Sequence, residues 1–287
     1  MNPEEIENFL SSAYAYAETS KRTYRDVLSR IFAEDRDLAE MTAVELLKLL
    51  KQSGWGNARQ SMGLTIAQKY LAWKYGHGHP ALSAQLKRVQ GKPQRALTPE
   101  IALKLLSSFD PYTAKGARDL AICSLALDTG LRASELCRLQ QSDTDLEHGV
   151  LQVLIKGGQW EAAIFGEQTA LHIERWKFFR KIANGQGFLF THIKTGRGLT
   201  PEGLYSIVRE WGWKIDIQLC VHDLRRSMAV MGTLNGASER SLMEMGRWKS
   251  SNMIKRYTRT LRLEQVRKFL VVDGLLGENP PSKGIMR

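Results

Sequence analysis

Apolar residues recur at spacings of three and four through most of the chain, which is the period of a helix with one buried face. Ile6, Phe9 and Leu10 open the first such face, and Tyr24, Val27, Leu28, Ile31 and Phe32 form a second, which Thr19 or Ser20 would cap. A third helix follows Thr42 through Val44, Leu46, Leu47 and Leu50; Gly54 and Gly56 interrupt, and a fourth is predicted over residues 58–75. From His77 to Pro99 the pattern lapses, with Pro80, Pro93 and Pro99, basic Lys87, Arg88, Lys92 and Arg95, and no acidic residue. The spacing therefore predicts an all-helical first domain over residues 1–85, a basic linker over 86–96 and a second domain over 97–287.

In the second domain Thr98, Pro99 and Ile101 read as a capped helix start. An apolar helix is predicted over 118–128, a turn at Gly130, and a further helix carrying Leu136 and Leu139. VLQVLI and WEAAIF are the convincing strands, and Gly157 with Gly158 between them makes a β-hairpin. Helices return over residues 167–182, 201–211, 222–234, 238–245 and 252–257. The predicted fold class is mainly α: a helical domain, then an α+β domain that is mostly helical with a small antiparallel sheet.

Composition narrows the function. With 287 residues the chain has length for two cores, and its net charge of +11 brings a polyanionic partner into consideration without by itself establishing DNA binding. A membrane is disfavoured, because no apolar run approaches about 18 residues. Glu4, Glu5 and Glu7 make the N-terminus acidic, unlike an export signal, so a cytoplasmic protein is expected. Cys123, Cys137 and Cys220 are odd in number and widely spaced, which argues against a disulfide framework or a zinc site and for reduced, mostly core cysteines.

Three segments carry candidate chemistry. In TGLRASELCRL, Arg132 and Glu135 interrupt an apolar stretch at a helix start; alone, they read as a surface ion pair. In VHDLRRS, His222 and Arg225 fall on one helical face, where both can reach a single phosphate. In MGRWKSSNMIKRYTR, Trp248 stands nine residues before Tyr257, among Arg247, Lys249, Lys255, Arg256 and Arg259; a basic amphipathic helix with a core tyrosine would look alike.

Together, in this order and spacing, they resemble the tyrosine recombinase, or phage integrase, family over roughly residues 97–269. Thr129, Gly130, Leu131, Arg132, Ser134, Glu135 and Leu136 match the family's first box, so the resemblance makes Arg132 the first catalytic arginine and Glu135 its acidic support. The family lysine lies on the hairpin, commonly in a KG turn, where Lys156 precedes Gly157; Lys194 is the rival. HDLR matches the second box with His222 and Arg225, and Trp248 is the tryptophan variant of the residue nine positions before the nucleophile, Tyr257. Two departures stand out: Arg247 occupies the place of the histidine in the familiar LGH motif, and the hairpin reads KGGQWEAA without a second basic residue.

The resemblance implies a SAM-like helical core-binding domain that closes with the catalytic domain around DNA as a clamp. It implies cleavage of one strand by Tyr257 through a 3′-phosphotyrosyl intermediate, Arg132 and Arg225 on the phosphate, and Lys156 as general acid, without metal, ATP or other cofactor. Trp248 would buttress the pocket or simply pack, and Asp223 reads as a helix-start residue. Lys87, Arg88, Lys92, Arg95, Arg226, Arg247 and Lys249 are the expected phosphate contacts. The partner is a double-stranded recombination site. The free protein is expected to be a monomer that assembles on DNA as a homotetramer, the apolar residues of 261–276 docking into a neighbour or folding back in cis. A type IB topoisomerase, a telomere resolvase and an inactive DNA-binding regulator are the rival readings.

Overall fold

The computed structural model describes residues 3–12, 17–33, 37–87, 95–155, 158–180 and 187–258. The chain divides into two compact units, Met1–Gly91 and Lys92–Arg287. The first packs α1 (Pro3–Ser11), α2 (Glu18–Ile31), α3 (Ala43–Gln52), α4 (Asn57–Tyr75) and a 3-10 turn, Pro80–Ser83, around Phe9, Leu28, Phe32, Leu46 and Tyr70. Thr42 starts α3 by a reciprocal box: its hydroxyl accepts from the Glu45 amide at 3.3 Å, and the Glu45 carboxylate accepts from the Thr42 amide at 2.8 Å. The capping expected of Thr19 or Ser20 is not what opens α2. That helix begins one residue earlier, behind Ala17, which offers no side-chain acceptor, so both hydroxyl residues lie inside its first turn.

The second unit is built on α6 (Ala114–Thr129), which is buried on almost every face and flanked by α8 (Glu167–Phe179) and α10 (Val221–Leu234). Thr98 caps α5 (Pro99–Ser107) as the sequence predicts, its hydroxyl accepting from the Ile101 amide at 3.4 Å. Leu125, Trp176, Phe190, Trp211 and Leu224 lie in the main core. The sheet is antiparallel in the order β1 (Thr144–Asp145), β2 (Val150–Leu154), β3 (Trp160–Ile164), with Leu151 opposite Ala163 and Val153 opposite Glu161. Leu151 and Val153 point into the core while Gln152 faces outward, the period of two that marked the strand. Strand β1 was not expected, since two residues are too few to display a period. The turn residues Lys156 and Gly157 lie outside the described residues.

Helix α8 stops at Phe179, short of the predicted 182, because Arg180 takes up extended backbone; α9 (Pro201–Lys214) runs on past Trp211. Between them the chain makes two isolated antiparallel bridges, Gln140 to Phe188 and Thr191 to Gly198. Arg95 and Ala96, assigned to the linker by composition, already belong to the second unit, where the Arg95 Nη1 donates to the Gln218 carbonyl at 2.6 Å. One residue further, the Leu97 amide donates to the buried Ser227 hydroxyl at 2.7 Å, and that hydroxyl donates on to the Asp223 carbonyl at 2.7 Å. The last helices among the described residues, α11 (Glu239–Gly246) and α12 (Asn252–Tyr257), pack on the C-terminal half of α10 through a small separate apolar cluster of Met228, Ala229, Leu242, Trp248, Ile254 and Tyr257, while residues 261–276 lie outside the described residues. Among the described residues no helix is long and apolar enough to cross a membrane.

Candidate active site

The first box sits where α6 ends. Gly130 closes that helix in the left-handed region, φ 59°, and a Cβ there would stand 2.5 Å from the Met228 Cε and 3.4 Å from the Arg225 Cγ. Glycine is thus required both for the turn and for the approach of α10. The chain reverses into α7 (Ala133–Arg138), and Glu135, one turn in, folds back on Arg132: its carboxylate accepts from the Arg132 amide at 2.8 Å and from Nη1 at 2.6 Å. The Glu135 side chain is 3% exposed, so the pair is not the solvated ion pair that its spacing alone would suggest. Arg132 keeps 41% of its side chain exposed. One edge of its guanidinium is anchored and the remainder is presented outward.

Helix α10 delivers the second box. Asp223 accepts from the Cys220 amide at 2.9 Å and so fixes the helix start, the role the sequence gave it. His222 lies in the same first turn. Burial, then the charges of Arg226, Arg225 and Arg132, hold its pKa below the ordinary 6.5, so the imidazole is neutral at neutral pH. A turn later Arg225 is 2% exposed. Its Nη1 donates to the Gly130 carbonyl and its Nη2 to the Gly246 carbonyl, and the face of the guanidinium lies 4.8 Å from the centroid of the Trp248 ring. Burial, with Arg132 next, lowers its pKa to about 10, which leaves it charged at neutral pH.

The third segment follows from how α11 ends. The Trp248 amide donates to the Met243 carbonyl at 2.9 Å and the Arg247 amide to the Glu244 carbonyl at 3.1 Å, a Schellman closure with Arg247 left-handed at φ 51°. Trp248 is thereby turned under Gly246, whose Cβ, if it had one, would meet the indole at 2.4 Å. The indole meets Tyr257 nearly edge to face, centroids 5.8 Å apart and planes at 60°, and the Arg226 guanidinium carbon stands 5.9 Å from the Tyr257 centroid. Arg225, Trp248, Tyr257 and Arg226 thus alternate as cation, ring, ring, cation. Tyr257, 4% exposed, is seated on Ile254 and Leu242 in the small cluster. Trp248 packs there and touches Arg225 as well, so the packing and pocket readings of this residue describe one side chain.

Arg132, Glu135, His222, Arg225, Trp248 and Tyr257 are therefore gathered, with His222 and Arg225 each feeling the charge of Arg132. Lys156, Arg88 and Lys92 lie outside the described residues. Lys194 is exposed on the tight turn closed by the Thr191 to Gly198 bridge, and Lys87, Arg95 and Lys249 are exposed. Arg226 is largely buried and paired with Asp223 at 2.8 Å. Arg247 departs furthest from a surface phosphate contact: its side chain is 3% exposed and donates to the Thr129 and Met245 carbonyls, each at 3.1 Å. The backbone carbonyls of Thr129, Gly130 and Gly246 were not among the sequence candidates, although two glycines beside box residues are a signal that backbone approaches there.

Residues 95–263 match the Phage integrase family. The tyrosine recombinase XerA of Pyrococcus horikoshii is 26% identical over 263 residues, 89% of each chain. The tyrosine recombinase XerD of Listeria monocytogenes is 33% identical over 193 residues, which cover 63% of this chain and 64% of XerD. Among solved structures, the Tn1549 transposon integrase in complex with circular intermediate DNA superposes with a TM-score of 0.74 at 17% identity, over 93% of this chain and 98% of that one. The match spans all three boxes and the helices that assemble them, and on it the chain belongs to the Phage integrase family.

Proposed function

We propose that the protein is a site-specific tyrosine recombinase, which breaks and rejoins DNA at a recombination site of a mobile element, plasmid or replicon. The observation that carries this reading is that Arg225 bonds the Gly130 carbonyl, two residues before the Glu135-anchored Arg132, and lies over Trp248, whose ring meets Tyr257. Attack of the Tyr257 oxygen on phosphorus forms a 3′-phosphotyrosyl ester and breaks the bond to the 5′-oxygen, which leaves as a hydroxyl after taking a proton. The pentacoordinate state carries extra charge on its equatorial oxygens, and two fixed guanidiniums match it. Neutral His222 is suited to accept the phenol proton or to hydrogen-bond a phosphate oxygen. Lys156, which falls between β2 and β3 in the sequence, is the donor to the leaving oxygen. The ester conserves the bond energy of the cut link, so rejoining is the reverse attack by a 5′-hydroxyl and needs no energy source.

Lys87, Arg88, Lys92, Arg95, Arg226 and Lys249 are proposed to meet the DNA backbone, with the first unit closing on the duplex as a clamp. Four protomers hold two duplexes, linked through residues 261–276, and the protein works in the cytoplasm on the nucleoid. The test is to incubate the full chain with fragments of the DNA that flanks its own gene and to recover protein bound after denaturation. Wild type is expected to give an adduct at one mapped site and Tyr257→Phe none, with duplex binding retained, since one hydroxyl is lost. Duplex binding without any adduct would make the protein an inactive regulator and overturn the proposal. Strand exchange between two marked duplexes, rather than relaxation of a single plasmid, separates it from a topoisomerase.

A further inference from the structure

Arg247 is the residue whose chemistry and surroundings agree least with its place in the sequence. It stands in a strongly basic segment, yet its guanidinium is turned away from solvent, with a buried Nε that has no hydrogen-bond partner. It also occupies a left-handed position, φ 51°, which glycine or asparagine fills at less cost. A long charged side chain held there against both penalties must be fixed by what it touches. Those contacts are specific. Nη2 donates to the Thr129 carbonyl at 3.1 Å, across 118 residues of sequence, and stands 3.9 Å from the Glu135 Oε2. Glu135 Oε2 is the same oxygen that accepts from the Arg132 amide, while Oε1 holds the Arg132 Nη1. The carboxylate is therefore flanked by two guanidiniums, Arg132, 41% exposed, and the buried Arg247, which is tied to Thr129 at the end of α6.

We infer that Arg247 is a positioning residue for the phosphate clamp: buried behind Glu135, it fixes the carboxylate and the Thr129 turn so that Arg132 is held in place for the scissile phosphate, and it does not itself touch DNA. The inference rests on the recombinase reading. Because Arg247 heads the segment that ends in Tyr257, it also ties the stretch of chain that leads to the nucleophile to the turn that bears the clamp. Its Nη1 donates to the Met245 carbonyl and its Nη2 to the Thr129 carbonyl, a pair that calls for a forked donor, so lysine, with one compact ammonium, should replace it poorly.

The test uses Arg247→Asn, which suits the left-handed backbone and removes only the fork, with Arg247→Lys and Arg132→Ala beside it. Single-turnover adduct formation is measured on a nicked duplex carrying the mapped site, once with the natural phosphate and once with a neutral methylphosphonate at the cut position. Arg247→Asn is expected to slow the phosphate reaction about 10- to 100-fold, with unchanged duplex affinity and an unchanged dependence of affinity on salt. On the methylphosphonate, which carries no charge for Arg132 to meet, the defects of Arg247→Asn and Arg132→Ala should both shrink; Arg247→Lys should resemble Arg247→Asn. A defect of equal size on both substrates would make Arg247 a general structural residue, and a shallower salt dependence would make it a phosphate contact; either overturns the inference. So would a wild-type rate in Arg247→Asn. If wild type itself forms no adduct, it is the recombinase reading that falls.

Discussion

Replacing Arg225 with methionine would separate what its charge does for catalysis from what it does for the fold. The folded environment lowers its pKa from 12.5 to about 10, chiefly by burial. That corresponds to roughly 3 kcal/mol by which folding disfavours the charge, a penalty in full force at neutral pH, where folded and unfolded chains are both protonated. Against it stand the bonds to the Gly130 and Gly246 carbonyls and the contact with Trp248. A buried carbonyl left without its partner costs about 1–3 kcal/mol, and a desolvated cation over an aromatic ring contributes about 2 kcal/mol. Methionine keeps the unbranched stem, removes the charge and strands both carbonyls. The opposing contributions leave a net loss of about 2 kcal/mol, which in a unit of this size lowers the melting temperature by about 6 °C. Catalysis should suffer far more: losing one fixed charge from a water-poor phosphate site costs about 3 kcal/mol of barrier or more, at least about a hundredfold in rate. Thermal unfolding by circular dichroism and single-turnover adduct formation at one temperature measure the two effects. A fall of more than about 15 °C would mean that Arg225 is first a strut, and an adduct rate within about threefold of wild type would remove it from the clamp.

The lowered pKa of His222 has a definite sign: as pH falls from 6.5 through the lower folded value, the unfolded chain binds the proton first, so stability is lost in that window, and cleavage is lost there as the imidazole protonates. The adduct rate measured between about pH 5 and 8 should show an acid limb below 6.5 that His222→Gln abolishes; an acid limb surviving that change belongs to another group. Lys156→Ala should slow cleavage about 10²- to 10⁴-fold, and a bridging sulfur at the leaving position, which needs no proton, should restore it. Rescue of Lys194→Ala instead would move the general acid to that residue.

The helices were legible because burial of one face leaves a period that survives any detail of packing, as in α3 and α12, whose starts at Ala43, directly after Thr42, and at Asn252 are where the pattern places them. The boxes around Arg132, His222 and Tyr257 were legible as motifs. Their convergence was legible only through the family resemblance; the packing that produces it, α10 on α6 across a glycine that admits the stem of Arg225, was not. The partners of the arginines escaped for the same reason. Charge along a sequence predicts exposure, and Arg225 and Arg247 overturn that only because carbonyls 95 and 118 residues away arrive to accept from them. Strand β1 escaped because it exists through its pairing with β2, not through any pattern of its own.

The hydroxyl of Ser227 joins two things that a chain could keep apart. It receives the amide of Leu97, just ahead of α5, and it donates to the carbonyl of Asp223, within the helical turn that also carries Arg225 and Arg226. One hydroxyl therefore ties the backbone just ahead of α5 to the turn of α10 that aims the guanidiniums, so that a change at Ser227 reaches both.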